Sequence, residues 1–334
     1  MLAVVLVNYN GLDDTLKCLA SLQEQTEKKF LTIVVDNASS QDPSEIVKKH
    51  QNIIFLQSDI NGGYTGGNNI GIKYALEKGC DPVILLNNDT VVPKNFVERM
   101  LSAFRHNKDF GILGPLIKSM QDPGKTITEG AHYNRPGFDG FFEDQHVPAK
   151  RTEPPSVTET DIVNGCCIMV RKEVFERIGL LDETLFQLCE ESDFCLRAAE
   201  NKYKCGIIAE PLVWHKQSGS AGLPGASPFR YYYNPRNMWL LLKKHAGRTK
   251  NGRGPVASRL QYLRTIRHMY CSALEKGFHA DAEALIDGVT DAWTGKFGLR
   301  GERHNGIVRA MVYFWMSLNA SLSRVKGKTS KAGR

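Results

Sequence analysis

The sequence lacks the patterns of several familiar protein classes. None of its eight cysteines forms a C-x-x-C pair, which disfavours a disulfide frame or a zinc site and favours buried, reduced thiols. No apolar stretch reaches the ~18 to 20 residues of a membrane span. The apolar start, Met1–Val7, is too short for a signal peptide and has no basic residues before it. We therefore expect a cytoplasmic protein.

A dinucleotide fingerprint is also missing. Dinucleotide-binding folds place G-x-G-x-x-G directly after the first strand, whereas the first apolar run here continues into "NYNG". This argues against a dehydrogenase. Internal repeats and low-complexity tracts are absent, and the 42% hydrophobic and 24% charged residues are typical of an ordinary globular protein.

Charge is distributed unevenly along the chain. Residues 243–334 contain 18 Lys and Arg against six Asp and Glu, a net charge of about +12, while residues 1–242 carry about −5. A basic terminal region suits an anionic partner such as lipid or a phosphorylated substrate, and a solvated basic face is equally consistent. No nucleic-acid partner is expected, because these basic residues form no known recognition module.

Apolar runs alternate with helical patterns over the first 120 residues. The runs occupy residues 3–7, 32–35, 53–56, 83–86 and 111–113. Strands that are apolar on both faces and separated by helices predict an α/β fold with a parallel sheet covered on two sides.

The later part of the chain has a less regular pattern. Residues 118–160 indicate a long loop or small excursion, and strands are predicted at 162–170 and 205–209. Helices are predicted from about 172 to 178 and from about 190 to 201. From about residue 240 onward only helical patterns occur. We expect an α/β domain over residues 1–245 and a basic helical appendage over residues 246–334.

Polar residues follow the predicted strands. Asn8 and Tyr9 end the first, Asp36 the second, and Asn88 and Asp89 the fourth. The third precedes "NGGYTGGNNIG", whose four glycines in six residues would let a ligand approach the backbone ahead of a helix N-terminus. Ligands of open α/β sheets lie at the carboxyl ends of the strands, so together these residues predict a nucleotide site. Taken singly, each is also consistent with a turn or a helix cap.

Seven stretches, in order, resemble the family 2 glycosyltransferases of the GT-A fold, particularly their bacterial rhamnosyltransferase-like branch. They are "VVLVNYNG", "VVDNASSQD", "NGGYTGGNNIG", "LLNNDT", "NGCCIMVRKEVFERIGLLDE", "EESDFCLR" and "VWHK". They cover residues 1 to about 240. The resemblance implies a Rossmann-like, mostly parallel central sheet with helices on both faces.

The resemblance also implies a nucleotide-sugar site. Tyr9 and Asp36 would hold the base and ribose, and Asn87–Asp89 replaces the family's D-x-D motif, with Asp89 as ligand of Mn²⁺ or Mg²⁺. His215 resembles the second metal ligand, although a histidine packed beside Trp214 is the alternative. The other residues implied to bind the nucleotide-sugar are Asn8, Asn61, Gly66, Asn68, Asn88, Asn164 and Arg236. For Arg236, a surface arginine at a helix start is the alternative. Because Asn87 replaces a carboxylate, we expect metal and nucleotide to bind together.

Sugar transfer needs charge stabilisation on the departing diphosphate and a base for the acceptor hydroxyl. Glu190, Glu191 and Asp193 lie in the first turn of a predicted helix. The resemblance makes Glu191 the base, with Glu190 as second choice, and implies an inverting reaction. Asp193 is assigned to a structural ion pair with Arg197, four residues on.

The C-terminal stretch from 306 to 328 has an aromatic-rich apolar centre flanked by basic residues. A helix lying in a membrane interface and a helix packed on the body or on a second subunit of a homodimer are both consistent with it.

Together these patterns predict a metal-dependent, inverting glycosyltransferase of polysaccharide biosynthesis. It would move a sugar, with dTDP-rhamnose favoured as donor by the branch, to a glycan or lipid-linked acceptor at the inner face of the cell membrane. A non-catalytic glycan-assembly subunit is one alternative. A sugar-phosphate nucleotidyltransferase is another, but "NYNGLDD" is acidic where that class needs a basic, glycine-rich loop.

Overall fold

The computed structural model describes residues 1–50, 52–133, 142–217, 227–245, 255–301 and 304–317. Its described residues form two compact units, one of residues 1–133 with 142–217 and one of residues 227–317. The sequence pattern placed the boundary at residue 245. The structure instead assigns the helix at 228–244 to the second unit, because that helix packs against the helix at 279–294.

A mixed β-sheet forms the centre of the first unit. Strands β1 (Leu2–Asn8), β2 (Phe30–Asn37), β3 (Ile54–Ser58) and β4 (Val83–Leu86) are parallel and lie in the order β3-β2-β1-β4. All four residues of β4 are buried, as are all residues of β1 except the half-buried Val7. These strands are therefore covered on both faces, as their continuous apolar runs predict.

The other half of the sheet contains both strand directions. Strand β11 (Cys167–Val170) lies antiparallel between β4 and β6 (Phe110–Ser119), and β12 (Lys204–His215) runs parallel to β6. Three shorter strands complete the sheet in the described chain: β5 (Thr90–Val91) and β10 (Val157–Thr160) on β12, and β7 (Thr126–Thr128) on β6. A separate hairpin of β8 (Ala131–Tyr133) and β9 (Phe142–Asp144) lies in the predicted excursion.

Helices cover the sheet of the first unit. They are α1 (Leu12–Gln23), α2 (Ser44–Lys49), α3 (Gly63–Glu77), α4 (Phe96–His106), α5 (Lys172–Ile178) and α6 (Glu190–Glu200). Most of the glycine run lies inside α3 and not in a loop before it. A Cβ on Gly67 would overlap Val7, and one on Gly71 would overlap Val5, so these glycines let α3 approach the sheet closely.

The second unit is helical. It contains α7 (Pro228–Lys244), α8 (Pro255–Glu275), α9 (His279–Thr294) and a helix α10 that spans residues 306–317, where the description ends. A Cβ on Gly288 would overlap the backbone of Tyr232, so α7 and α9 cross closely at that glycine. No helix in the described parts of the chain is long and apolar enough to span a membrane.

Candidate active site

A chain of polar contacts joins the carboxyl ends of four neighbouring strands. Asn88 Nδ2 donates to Thr15 Oγ1 at 2.8 Å, and Thr15 Oγ1 donates to Asn8 Oδ1 at 2.8 Å. Asn8 Nδ2 donates to Asp36 Oδ1 at 2.6 Å, and Gln57 Nε2 donates to Asp36 Oδ2 at 2.8 Å. The ends of β4, β1, β2 and β3 are thereby connected in sheet order. We call these five residues the strand-end network.

Asp36 is saturated with hydrogen bonds. Its side chain is fully buried, and besides Asn8 and Gln57 it accepts from the backbone N of Ser39 at 3.0 Å and from Ser39 Oγ at 2.7 Å. Four donors are the usual capacity of a carboxylate. In this geometry Asp36 organises the loops after β1 and β2, and its contact with a nucleotide stays a prediction. Tyr9, which follows Asn8, is 38% exposed, and its contact with a nucleotide base also stays a prediction.

Two asparagines fix the start of α3. Asn61 Oδ1 accepts from Asn37 Nδ2 at 3.0 Å and from the backbone N of Gly63 at 2.9 Å, and Asn68 Nδ2 donates to the carbonyl of Tyr64 at 2.9 Å. A Cβ added to Gly66 would meet nothing within 4 Å, which distinguishes it from Gly67. Gly66 is thus the position in this run where a missing side chain leaves open space for a ligand.

Strand pairing brings the two predicted metal ligands together. In the antiparallel pair of β5 and β12, His215 lies opposite Thr90, next to Asp89. His215 Nε2 is 3.0 Å from Asp89 Oδ1. Asp89 is 6% exposed, and its Oδ2 has no hydrogen-bond partner in the described chain. A buried carboxylate oxygen without a partner is costly, which is expected where a cation completes the site.

Electrostatics favour the charged form of His215 in the absence of a cation. Burial lowers the pKa of His215, but its hydrogen bond to the Asp89 carboxylate and the charge of that carboxylate act in the opposite direction and favour a pKa above the usual value. A protonated imidazole cannot ligate a metal, so cation binding must release this proton.

The donor set fits a divalent cation that is shared with a diphosphate. Mg²⁺ and Mn²⁺ at such sites take one or two protein ligands and complete their shell with phosphate oxygens and water. Asp89 and His215 supply one carboxylate oxygen and one imidazole, a pair that suits Mn²⁺ better than Mg²⁺. No cluster of three His, Cys, Asp or Glu able to hold a metal occurs among the described residues.

Two of the three carboxylates at the start of α6 are candidate bases. Glu190 is 5% exposed, and its Oε2 has no partner in the parts of the chain described. Glu191 is half-buried and accepts from Ser192 Oγ at 3.2 Å. Burial, and then the Glu191 charge, raise the pKa of Glu190 well above its usual value, and burial also raises the pKa of Glu191. Elevated pKa values are a property of carboxylates that accept protons.

The third carboxylate, Asp193, has the structural role expected from the sequence. Its Oδ2 accepts from Arg197 Nε at 2.8 Å. Arg197 also donates to the carbonyls of Ile178 and Leu180, at 2.6 and 2.8 Å. This ion pair ties α6 to the end of α5.

A strained segment precedes the candidate bases. Phe186, Leu188 and Cys189 have φ angles of 63°, 72° and 69°, a region that residues other than glycine rarely adopt. The carbonyl of Phe186 accepts from the backbone N of Thr65 at 3.2 Å, and α3 thereby fixes this segment. Such strain persists only where surrounding contacts hold it and is common at active sites.

The segment "NGCC", residues 164–167, lies next to both the Asp89–His215 pair and the candidate bases. Tyr64 Oη donates to the carbonyl of Gly165 at 2.5 Å, and a Cβ on Gly165 would lie 3.4 Å from the Cβ of Glu191. The next residue, Cys166, lies close enough to His215 for the histidine to lower the pKa of its thiol, although burial has the larger, opposite effect. Burial raises the pKa of Cys166, which keeps the thiol neutral. All eight cysteines are free and seven are buried, in agreement with the expected reduced thiols.

Asn164 opens this segment and stabilises its turn. Its Oδ1 accepts from the backbone N of Cys166 at 2.9 Å, and its side chain is half-buried. The binding of a nucleotide-sugar by Asn164 stays a prediction.

A cleft of about 300 Å³ opens beside Asp89. Lys216 lines it, donates its backbone N to the carbonyl of Asp89 at 3.0 Å, and holds Asp14 with Nζ at 2.9 and 3.0 Å from the two carboxylate oxygens. The pKa of Lys216 is raised by Asp14. The cleft is therefore lined by both the ammonium group of Lys216 and the carboxylate of Asp89.

Arg236 lies in the second unit. Its side chain is fully buried, Nη1 donates to the carbonyl of Gly298 at 2.5 Å, and the guanidinium lies 4.6 Å from the ring centre of Tyr233. The alternative of a surface arginine at a helix start is wrong, because Arg236 lies inside α7. Its contact with a diphosphate stays a prediction.

Sequence reasoning missed three residues that shape the site: Thr15, Gln57 and Tyr64. Thr15 resembles an ordinary residue of an amphipathic helix, and only its position one turn after "NYNG" signals a role. Tyr64 is the aromatic residue within the glycine run, which is a stronger signal.

Known proteins resemble this chain along most of its length. The sequence profile of glycosyl transferase family 2 matches residues 3–179. A low-salt glycan biosynthesis hexosyltransferase of Haloferax volcanii is 30% identical over 240 residues, 72% of this chain and 74% of its own length. The dTDP-rhamnosyl transferase RfbF of Shigella flexneri is 30% identical over 251 residues, 72% of this chain and 79% of its own. An N-acetylglucosaminyl-diphospho-decaprenol L-rhamnosyltransferase of Mycobacterium tuberculosis is 26% identical over 267 residues, which cover 74% of this chain and 86% of its own length.

Solved structures share the fold at low sequence identity. Residues 1–349 of S. aureus TarS with UDP-GlcNAc superpose with a TM-score of 0.58 at 16% identity, covering all of this chain and 92% of that one. The chain covers 53% of the longer TarS structure. GalNAc-T7 with UDP, GalNAc and Mn²⁺ gives a TM-score of 0.54 at 14% identity, covering 79% of this chain and 54% of that one. The predicted GT-A fold is confirmed by these neighbours.

Proposed function

The chain belongs to glycosyltransferase family 2, and we propose that it is a cation-dependent, inverting enzyme. It would transfer a sugar from a nucleotide-diphosphate donor to a glycan or lipid-linked acceptor in polysaccharide biosynthesis. The first unit would carry the transfer chemistry. The observation that carries the proposal is the buried pair of Asp89 and His215, with one carboxylate oxygen left without a hydrogen bond in the described chain.

Asp89 and His215 would hold a Mn²⁺ or Mg²⁺ ion. When bound, such an ion stabilises the negative charge that develops on the departing diphosphate. Gly66 would border the donor, since a Cβ there would meet nothing within 4 Å, and Asn61 and Asn68 would act by fixing the start of α3. Asn8 and Asn88 would act through the strand-end network, which fixes the loops that face the nucleotide.

Glu191 would accept the proton of the acceptor hydroxyl. The acceptor oxygen forms a bond to the anomeric carbon while the bond from that carbon to the diphosphate oxygen breaks, and the electron pair leaves with the nucleotide. A single displacement inverts the anomeric centre and needs no second carboxylate as nucleophile. Glu191 is favoured over Glu190 because it is the more exposed of the two and can reach an incoming hydroxyl.

The relatives favour a deoxyhexose donor. Two of the three relatives described above are named rhamnosyltransferases, and one of them is named for a lipid diphosphate acceptor. We therefore propose dTDP-rhamnose as the first donor to test and a lipid-linked glycan as acceptor class. Such an acceptor would place the reaction at the cytoplasmic face of the cell membrane.

The test is a thermal-shift screen of dTDP, UDP, GDP and their sugar conjugates, each with Mn²⁺, with Mg²⁺ and with EDTA. We expect one nucleotide family to raise the melting temperature only when a divalent cation is present, because ligands that bind the folded state stabilise it by mass action. The same shift in EDTA would refute cation dependence. No shift with any nucleotide would favour the alternative of a non-catalytic assembly subunit.

A further inference from the structure

Helix α10 presents apolar side chains on two opposite faces. On one face Val312 and Met316 are fully buried. On the other, Ile307, Met311 and Phe314 are 78, 65 and 65% exposed. These three residues are spaced by four and three positions, so they form one continuous stripe along the helix. We call them the α10 stripe.

Contacts within the second unit fix the orientation of this stripe. Arg309 Nε donates to Asp287 Oδ1 of α9 at 2.6 Å. Trp315 lies 6.4 Å from Trp293 of α9, measured between ring centroids, and the hydroxyls of Ser317 and of Tyr270 on α8 are 3.4 Å apart. Because these contacts anchor the buried face, the stripe cannot turn inward, and its three large side chains remain directed away from the unit.

The second unit is basic in composition, and part of that charge lies on its surface. Three of its acidic side chains, Asp281, Asp287 and Asp291, are buried. Exposed Arg264 and Arg267 lie on α8. Glu275 and Glu283 are also exposed, and Arg300 and Arg309 pair with Asp287, so Arg264 and Arg267 represent only part of the cations of this unit.

The sequence after α10 continues this basic character. Residues 318–334 contain five Lys and Arg and no Asp or Glu. An apolar stripe on a helix followed by a cluster of cations is the combination that anchors peripheral proteins, since one signal alone gives only weak, reversible binding.

We propose that the α10 stripe docks the second unit onto an anionic lipid bilayer. Ile307, Met311 and Phe314 would enter the boundary between headgroups and acyl chains, while cations of the second unit and of the sequence after it contact the headgroups. A bilayer is favoured over a second copy of the chain by charge, because two copies would bring two basic surfaces together. The proposal rests on the proposed function only in that a lipid-linked acceptor would lie in the same bilayer.

The experiment measures vesicle flotation of the full chain with phosphatidylglycerol–phosphatidylcholine and with pure phosphatidylcholine. The test variant is Ile307→Asn, Met311→Asn, Phe314→Asn, and the matched control is Val47→Asn, Ile60→Asn, which removes exposed apolar residues of the first unit. We expect the parent and the control to float with anionic vesicles, and the test variant to bind at least about tenfold more weakly. Equal binding of test variant and parent, or no binding of the parent, would overturn the proposal.

A second variant tests the contribution of charge. Glutamine replaces the five C-terminal cations Arg324, Lys326, Lys328, Lys331 and Arg334. We expect about fivefold weaker binding for each cation that contacts the surface, and a smaller loss in high salt. Binding that is unaffected by these substitutions and by salt would contradict a bilayer of anionic lipid as the partner.

Two further measurements distinguish membrane docking from dimerisation and from the proposed enzymatic function. Light scattering without vesicles detects a second copy: a parent dimer that the α10 variant converts to monomer would assign the stripe to a subunit interface instead and overturn the proposal. The nucleotide thermal shift is repeated on the same variants, and we expect it to be unchanged. Loss of the nucleotide shift in the parent would refute the proposed function without affecting the vesicle result.

Discussion

Asp36, near the end of β2, and Asp89, just after β4, belong to two buried parallel strands but have opposite surroundings. Asp36 accepts four hydrogen bonds and is fully buried, whereas Asp89 contacts His215 through one oxygen and leaves the other without a partner in the described chain. The first carboxylate is complete in the free protein. The second is incomplete, and Glu190, with its own partnerless oxygen, resembles it.

The difference separates a preorganised side of the site from a reactive side. Contacts around Asp36 hold backbone loops in place before any ligand binds, which reduces the cost of ordering them later. Around Asp89 and Glu190, unsatisfied groups are kept in place by the surrounding fold, and a ligand that satisfies them gains affinity. We therefore expect substitutions on the Asp36 side to affect mainly stability and those on the other side to affect mainly binding and catalysis.

The largest effect is expected for Asp89→Ala. Loss of the cation ligand should reduce transfer by roughly 10³-fold or more and remove the cation-dependent thermal shift. The free energy of unfolding should decrease by less than in Asp36→Ala, because Asp89 has one partner where Asp36 accepts four hydrogen bonds. Transfer assays, nucleotide thermal shift and urea unfolding of the same protein test this, and unchanged nucleotide binding would remove Asp89 from the cation site.

Glu191→Gln should separate chemistry from binding. Without the base, transfer should decrease by roughly 10²-fold or more while donor affinity stays within about twofold. In the parent, the transfer rate should rise with pH through the elevated pKa of Glu191, because only the ionised carboxylate accepts a proton. Near-normal turnover of Glu191→Gln, together with a defect in Glu190→Gln, would assign the base to Glu190.

Asp36→Ala should show the opposite pattern to Asp89→Ala. Four donors lose their acceptor in a buried setting, so the free energy of unfolding should decrease by about 2 to 4 kcal/mol. Urea denaturation measures this change. A change below about 1 kcal/mol would mean that Asp36 does not hold the strand ends together.

The adjacent glycines Gly66 and Gly67 form a matched pair. Gly66→Ala adds a methyl group to open space and should stabilise α3 by up to about 1 kcal/mol while weakening donor binding, if the donor occupies that space. Gly67→Ala forces a methyl group onto Val7 and should destabilise the fold by about 1 to 3 kcal/mol. Unchanged donor affinity in Gly66→Ala would place the donor elsewhere along α3.

The smallest expected effect is the change in melting temperature caused by Glu190→Gln. Because burial raises the pKa of Glu190, the folded state binds more protons than the unfolded state, and stability falls as pH rises above about 4.5 towards the folded-state pKa. Glutamine removes this penalty and should raise the melting temperature at neutral pH by roughly 2 °C, with little change near pH 4. A difference that is independent of pH would show that Glu190 is not held protonated.

The sequence predicts the first four strands closely because each is a continuous apolar run between polar residues. Strand β4 occupies residues 83–86 as expected, and helix α5 residues 172–178. Strands β6 and β12 extend well beyond their predictions. Pro115 lies within β6 and Pro211 within β12, and in the sequence each proline indicates the end of a strand. In the structure the two strands continue past the prolines, because shifts in the register between β6 and β12 accommodate both residues.

The sequence predicts those site residues that belong to a recognisable motif. It does not predict residues whose role depends on which elements contact each other in the fold. Asp89, His215 and the glutamates stand out through motif resemblance. The contact of Cys166 with His215 depends on how β11 and β12 lie in the sheet, which local sequence does not encode. The glycine run was interpreted as a ligand loop, but Gly67 and Gly71 serve helix packing, because a pattern of glycines does not distinguish a nearby ligand from a nearby strand.

The pairing of His215 with Thr90 also constrains how the protein is made. Strand β12 is added to the sheet beside β6, and it supplies the final segment that brings His215 to Asp89. A chain emerging from the ribosome can therefore fold β1 to β4 early, yet it cannot assemble the Asp89–His215 pair until residues 204–215 have left the exit tunnel. Nascent chains arrested before that point should therefore be inactive.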